Sequence, residues 1–426
     1  MFGRFFYALF CTFTKMNFIY NFTAYLTFFF LRTYALFNTK MKLFVSGRKE
    51  TFKKLSSIKK EDQTVWFHVA SLGEFEQAIP IIEAVKKRYQ DHKIIVTFFS
   101  PSGYEIRKNS NLADIICYLP FDTKANMKRF VAMVHPEIAI IVKYEFWPNL
   151  LQQLKKQSIP TILVSGIFRE NQVFFKPTGK WMRKSLTAFH HFFVQDLSSK
   201  NLLESINCKN ISLSGDTRFD RVAKILEQDN SLPYISAFKN NQYTVVAGST
   251  WKEDEELLVS YINKSKGEKF IIAPHTIDVK SIQKLKNSLE KETILYSEKD
   301  GENLSEYTVF ILDTIGLLTK TYAYADATYV GGGFKTGLHN ILEPATFGIP
   351  VVIGPVYNKF KEAVDLVNLG GCISVGNQSA FSSTFNKLKN DINFRKETGA
   401  INDSYIKENI GATTQIMQYI QKQIKS

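Results

Sequence analysis

The sequence predicts two doubly wound α/β domains in succession, and three observations predict it. Short apolar runs rich in Val and Ile alternate with helix-length amphipathic stretches. Each run ends in turn residues, and the whole alternation occurs twice, with a break near residues 216–242. Strands separated by helices of this length require right-handed crossovers and therefore parallel sheets. In the first half the strands read TVWFHVA (64–70), KIIVTFF (93–99), IICYLP (115–120), EIAIIVK (137–143) and TILVSG (161–166). Helices are expected over 71–89, from 100, over about 125–134 and over 148–157. In the second half the strands are TVVAGST (244–250), KFIIAPH (269–275), TVFILD (308–313), ATYVGGG (327–333) and PVVIGP (350–355). Helices are expected there from 253, from 279, over 317–323 and over 340–347. Ligands of open parallel sheets bind beyond the carboxyl ends of the strands, so the turns after these runs carry the functional information. If the domains face each other, those turns line one cleft.

At 426 residues the chain has room for two ordinary cores. Lys and Arg exceed Asp and Glu by 54 to 40, a net charge of +14, which suits a membrane surface, a phosphorylated substrate or a nucleic acid. No nucleic-acid motif or interleaved basic-aromatic pattern follows the N-terminal segment, so no nucleic-acid partner is expected. Cys11, Cys117, Cys208 and Cys372 are far apart, and the seven histidines show no ligand spacing; neither a disulfide framework nor a metal is expected. The adjacent His190 and His191 read as surface or packing residues. Residues 16–31, MNFIYNFTAYLTFFFL, carry no charge and are flanked by Lys15 and Arg32. They suit either an interfacial helix or a short single-pass anchor. The basic run that follows, Lys40, Lys42, Arg48, Lys49, Lys53, Lys54, Lys59 and Lys60, favours an anionic cytoplasmic leaflet. Membrane association through residues 1–60 is the expectation.

Several turns hold residues that can do chemistry. Glu74, in SLGE, is at a helix start, where it either caps the helix or acts as a general base. Glu145 and Trp147 in KYEFWPN precede another helix, and Glu145 either orients a ligand or serves as an N-terminal helix charge. Arg218 in GDTRFDR either neutralises a phosphate or pairs locally with Asp216 or Asp220. Gly248, Ser249 and Thr250 precede a helix and offer backbone donors to a phosphate. Pro274 and His275 end the next strand within reach of a nucleotide base, and Asp313 to Gly316 can add main-chain bonds. The three glycines Gly331, Gly332 and Gly333 are expected to bring backbone N–H groups close to an anion, with Glu343 in the next helix accepting ribose hydroxyls. The glycine spacing is not that of a dinucleotide fingerprint.

Taken in order, SLGE, SPSG, EFWPN, GDTRFDR, AGST, GGGF and HNILEPATFGIPVVIGP resemble the Kdo transferase family, along nearly the whole chain. Those bacterial enzymes move 3-deoxy-D-manno-octulosonic acid (Kdo) from CMP-Kdo to a lipid A precursor. The resemblance implies a GT-B fold and an inverting glycosyltransferase. It implies an anchor over 1–45, an acceptor domain over 46–214, and a CMP-sugar domain over 215–426 whose last helix returns to the first domain. By motif, Glu74 is implied to be the base and Arg218 to meet charge on the leaving phosphate. Pro274 and His275, Ile315, Gly316 and Leu317, and Asn340, Ile341, Leu342 and Glu343 are implied to hold CMP. No cofactor is implied, since CMP-Kdo is the donor substrate. The implied partners are CMP-Kdo, a lipid A precursor and the anionic cytoplasmic face of the inner membrane. The chain departs from the family at Lys143, where relatives commonly carry a carboxylate whose duty here is absent, reassigned or left to Glu145, and at Pro274, His275 and Thr276, where relatives often read P-R-H-P, which puts an arginine contact in question. Another GT-B nucleotide-sugar transferase, a sugar-nucleotide epimerase and a non-enzymatic membrane-attached binding protein are the alternatives.

Overall fold

The structure, a computed structural model, describes residues 2–335 and 337–424, with side chains from Phe18 onward. It contains two compact units: residues 1–221 with 411–426, and residues 222–410.

The first unit is a seven-stranded parallel sheet. Its strands are β1 (Thr64–Val69), β2 (Lys93–Phe98), β3 (Ile115–Tyr118), β4 (Ile138–Val142), β5 (Thr161–Gly166), β6 (His191–Val194) and β7 (Ile211–Leu213). The spatial order is β3-β2-β1-β4-β5-β6-β7, so the direction of winding reverses between β1 and β4. β1 is buried along its whole length, as expected of a strand covered on both faces. One face packs on the helix Leu72–Arg88, and the C-terminal helix Ala412–Gln423 adds Ile416, Met417 and Ile420 to that layer, with Ile424 just beyond it. The other face is covered by the helices Lys124–Val134 and Pro148–Lys156.

The boundary between units falls after Arg221, later than the expected 214. Residues 215–221 are bound to the first unit: Gln77 Nε2 donates to Asp216 Oδ1 at 3.0 Å, Thr217 Oγ1 donates to Gln77 O at 2.6 Å, and Arg221 pairs with Glu76. Asp220 accepts from the Thr413 backbone at 2.6 Å and so ties in the C-terminal helix.

The second unit repeats the plan with β8 (Thr244–Thr250), β9 (Lys269–Pro274), β10 (Thr293–Leu295), β11 (Val309–Ile311), β12 (Ala327–Val330), β13 (Val351–Ile353) and β14 (Cys372–Ser374). The order is β10-β11-β9-β8-β12-β13-β14, again parallel, reversing between β8 and β12. The sequence reading lacked β6, β7, β10 and β14, which are only three or four residues long and sit toward the sheet edges.

The N-terminal helix, Phe2–Tyr34, docks on the first unit by one stripe. Tyr20 donates to Asp122 at 2.7 Å, Asn21 accepts from Asn149 at 3.0 Å, and Phe28 packs on Phe121 with ring centroids 4.4 Å apart. Phe18, Phe22, Tyr25 and Phe29 point outward, each more than half exposed. Their spacing of four, three and four makes this a continuous apolar face. Among the described residues no helix is long and apolar enough to cross a membrane. Part of the expected anchor, residues 1–17, has side chains outside the described residues. Arg48 is not part of an exposed basic run: it is buried, donates to Phe44 O and Phe99 O at 2.7 Å each, and lies over the Phe44 ring at 3.8 Å. Lys54 is likewise turned inward, donating to Ile116 O at 3.0 Å.

Candidate functional site

In the first unit the winding reverses between β1 and β4, where doubly wound sheets open a crevice at the strand ends. Glu74 follows β1. Its Oε2 accepts from the Ser71 backbone N–H at 3.0 Å and from Ser71 Oγ, closing a capping box at the start of the helix Leu72–Arg88. Glu74 is only half-buried, and its charge, with that of Asp196, adds to burial in raising the Tyr144 phenol above its ordinary range. Arg169, over the Tyr144 ring at 5.6 Å, opposes that rise.

Glu145 follows β4 and is 9 % exposed. Its Oε2 takes His68 Nε2 at 3.1 Å and Trp147 Nε1 at 2.6 Å. Burial disfavours its charge, but the bond and charge from His68 and the Trp147 bond outweigh that and hold the carboxyl below the usual range. The other ring nitrogen of His68 lies 2.9 Å from Thr97 Oγ1, so the imidazole is held at both ends. Arg218 grips Asp216 through Nε and its own backbone N–H, at 2.8 and 2.9 Å. Asp216 is buried, yet Arg218, with a smaller contribution from Lys143, keeps its carboxyl below the ordinary range. Lys143 therefore sits as a cation beside this pair. Gln195, just beyond β6, has a buried amide nitrogen with no hydrogen-bond partner among the described residues, and Gln77 Oε1 is equally unpartnered. Such atoms are the ones a ligand would satisfy.

In the second unit Gly248 to Thr250 close β8, Pro274 closes β9 with His275 just after it, Ile315 to Leu317 follow β11 and Asn340 to Glu343 follow β12, four strands adjacent in the sheet. Glu343 accepts from Thr319 Oγ1 at 2.6 Å and from Asn340 Nδ2 at 3.0 Å. The carboxylate thus belongs to a bonded group, with lone pairs remaining for a diol. Its helix is shorter than expected, Leu342–Thr346. Ile315 is 87 % exposed beside Gly316, whose φ of +94° requires glycine.

The glycine run does not act as the expected anion cradle. Gly331 N–H donates to Gly248 O at 2.9 Å, and Gly332 N–H to Asp254 Oδ2 at 2.9 Å. A side chain on Gly331 would meet Asp254 at 2.7 Å, and one on Gly333 would meet the Gly354 backbone at 2.7 Å. These glycines exist for close packing, with two of their donors spent internally.

Trp251, His339 and Asp254, which the sequence reading did not single out, complete this edge around His275. Trp251, His275 and His339 stack: His275 lies 4.4 Å from each of the other two rings, and Trp251 Nε1 donates to His339 Nε2 at 2.9 Å. Burial, then the neighbouring His275, push the His339 imidazole down to about 4, so at neutral pH it remains the acceptor for Trp251. Asp254 is buried and accepts from Trp251 N, Gly332 N and the Tyr329 hydroxyl. The acidic run after Trp251 was visible as a helix start, but not as the clamp of a turn 78 residues away. Lys143, Ser165 and Ser249 hold left-handed backbone, φ +61°, +52° and +56°, at the ends of β4, β5 and β8. Strain of this kind gathers at ligand sites. Among the described residues no cluster of three or more His, Cys, Asp or Glu could hold a metal ion.

The model of the 3-deoxy-D-manno-octulosonic-acid transferase (kdotransferase) family matches residues 46–221. A 3-deoxy-D-manno-octulosonic acid transferase of Aquifex aeolicus is 26% identical over 364 residues, 83% of this chain and 94% of that protein. One from Haemophilus influenzae is 27% identical over 379 residues, 84% and 86% of the two chains. Over residues 46–221, and over most of its length against these relatives, the chain is similar to Kdo transferases. Solved structures show that the fold of this chain is of the GT-B type. The UDP-GlcNAc 2-epimerase of Neisseria meningitidis matches with a TM-score of 0.59 at 15% identity, over 84% of this chain and all of that one. MurG of Acinetobacter baumannii matches with a TM-score of 0.52 at 11% identity, over 85% and 99%.

Proposed function

We propose that this chain transfers Kdo from CMP-Kdo to a lipid A precursor in lipopolysaccharide synthesis, with inversion at the anomeric carbon. The observation that carries the reading is Glu74, a half-buried carboxylate at the winding reversal of a Rossmann-like sheet, in a chain whose relatives are Kdo transferases. Glu74 takes the proton of an acceptor primary hydroxyl, and that oxygen forms the new bond to the anomeric carbon as the bond to the CMP phosphate oxygen breaks. The second unit holds CMP, with Glu343 at the ribose, His275 and Ile315 near the base, and Gly248 to Thr250 donating to the phosphate. Arg218 meets the charge that develops on the leaving group. Glu145 is a positioning residue in this scheme, because His68 and Trp147 occupy its Oε2. The displacement uses no metal and no cofactor.

The outward face Phe18, Phe22, Tyr25 and Phe29 supports residence on the cytoplasmic side of the inner membrane, where an acylated acceptor is confined. The exposed Lys40, Lys42, Lys49, Lys53, Lys59 and Lys60 add attraction to an anionic leaflet. Incubation of the purified chain with CMP-Kdo and a tetraacylated lipid A precursor should yield products heavier by whole Kdo units. Unchanged acceptor mass, or transfer from a UDP-sugar instead, would reject the assignment.

A further inference from the structure

We propose that the chain carries a headgroup site for an anionic phospholipid beside the helix Lys180–Leu186, sharing no residue with those assigned to CMP-Kdo or to catalysis. A pocket of about 480 Å³ opens there in the first unit. Lys180, Arg183, Lys184 and Lys209 line it, no carboxylate does, and Phe189 and Phe192 are among its apolar wall. The Arg183 guanidinium is fixed rather than free to roam. It donates to Phe174 O at 2.5 Å and to Lys176 O at 2.9 Å, both neutral acceptors that leave its charge uncancelled. Left-handed backbone at Asn207 and Asn210, φ +62° and +58°, turns the loop that brings Lys209 to the rim. Four cations over an apolar wall suit a phosphodiester joined to a glycerol backbone and its first methylenes.

The occupant follows from what adjoins the pocket. Trp181, on the same helix, lies 6.0 Å ring to ring from Tyr20 of the N-terminal helix, whose outer face presents Phe18, Phe22, Tyr25 and Phe29. The helix that lines the basic pocket with Lys180, Arg183 and Lys184 therefore also reaches, through Trp181, the helix that carries the exposed apolar strip. A bilayer satisfies both, acyl chains taking the phenylalanines and headgroups the cations, whereas a nucleic acid offers nothing to the strip. The chain would thus touch the membrane along two elements far apart in sequence, which fixes its tilt as well as its attachment.

The inference rests on the membrane reading of the proposed function but not on the transfer chemistry, and vesicle binding tests it alone. The full chain is titrated with vesicles of phosphatidylcholine and with vesicles of equal parts phosphatidylcholine and phosphatidylglycerol. A chain with Lys180→Gln, Lys184→Gln and Lys209→Gln should lose about a hundredfold in affinity for the anionic vesicles, at roughly fivefold per charge. Its binding to pure phosphatidylcholine should not change. The corresponding Lys→Arg chain should match the wild type, which separates charge from misfolding. Undiminished binding of the glutamine variant to anionic vesicles overturns the site. So does an intact vesicle response with a raised KM for a detergent-dispersed lipid acceptor, since the pocket would then belong to the substrate. Preferential loss of single-stranded oligonucleotide binding would assign the pocket to nucleic acid instead. A wild-type chain that ignores both vesicles removes this site and the membrane reading together, while transfer to the lipid acceptor would remain measurable in detergent.

Discussion

Glu74 shows how one side chain can satisfy two demands. As the third residue of its helix it closes a capping box with Ser71, and as a half-buried carboxylate at the winding reversal it is the residue to which the proposed function gives the proton. The two roles separate experimentally. Glu74→Gln retains an acceptor for the Ser71 N–H, so thermal stability should hold while transfer falls about 10²–10⁴-fold. Glu74→Ala should lose a further ~1 kcal/mol of stability with the cap. Near-normal turnover in the glutamine variant would take the base role away from Glu74. His68 supports the second carboxylate. Because the Glu145 carboxyl is depressed below 4.5 in the folded chain, its contribution to stability is present above that pH and is lost as pH falls through the folded value. His68→Ala should therefore destabilise the chain by about 3–5 kcal/mol near neutrality, where it strands a buried charge, and flatten the acid limb of urea midpoints measured against pH. An acid limb identical to that of the wild type would mean that His68 does not hold Glu145.

At the scale of elements, the turn after β12 is held by the helix that follows β8. Asp254, at the start of Lys252–Lys264, accepts from Trp251, Gly332 and Tyr329, locking two strand ends on either side of the winding reversal. Removing it leaves two buried donors and one half-buried donor without that acceptor, each buried one worth about 1–3 kcal/mol. Asp254→Ala should lower stability by ~3 kcal/mol or more in urea denaturation, and weaken CMP in a titration, because Trp251 and His339 share that turn. A variant as stable as the wild type would show that the turn is held by packing alone. The glycines here were legible as a place where backbone approaches something closely. What they approach is other backbone, at Ser249 and Gly354, and periodicity cannot reveal a partner 20 or more residues away.

At the scale of the molecule, the chain leaves its first unit after Arg221 and comes back at Gly411. The returning helix contributes Ile416, Met417 and Ile420 to the first core, and Ile424 follows. At about 1.5–3 kcal/mol for each buried side chain, their combined loss is comparable with the whole stability of a domain. A chain ending at Ile410 should therefore lose protection of residues 1–221 in limited proteolysis while residues 222–410 persist as a resistant fragment. Equal resistance of both would refute the dependence. The sequence by itself determined the two parallel sheets, ten of their strands and the turns that hold Glu74, Glu145 and Glu343, because apolar periodicity and turn chemistry are local properties of the chain. Only the tertiary structure decided that Glu145 is gripped by His68, that Trp251 stacks with two histidines, that the Gln195 amide nitrogen is buried with no hydrogen-bond partner among the described residues, and that Arg48 lies inside an aromatic cluster. Each of these depends on which strands become neighbours, and strand order is fixed by burial summed over a whole sheet, which no single stretch of sequence contains.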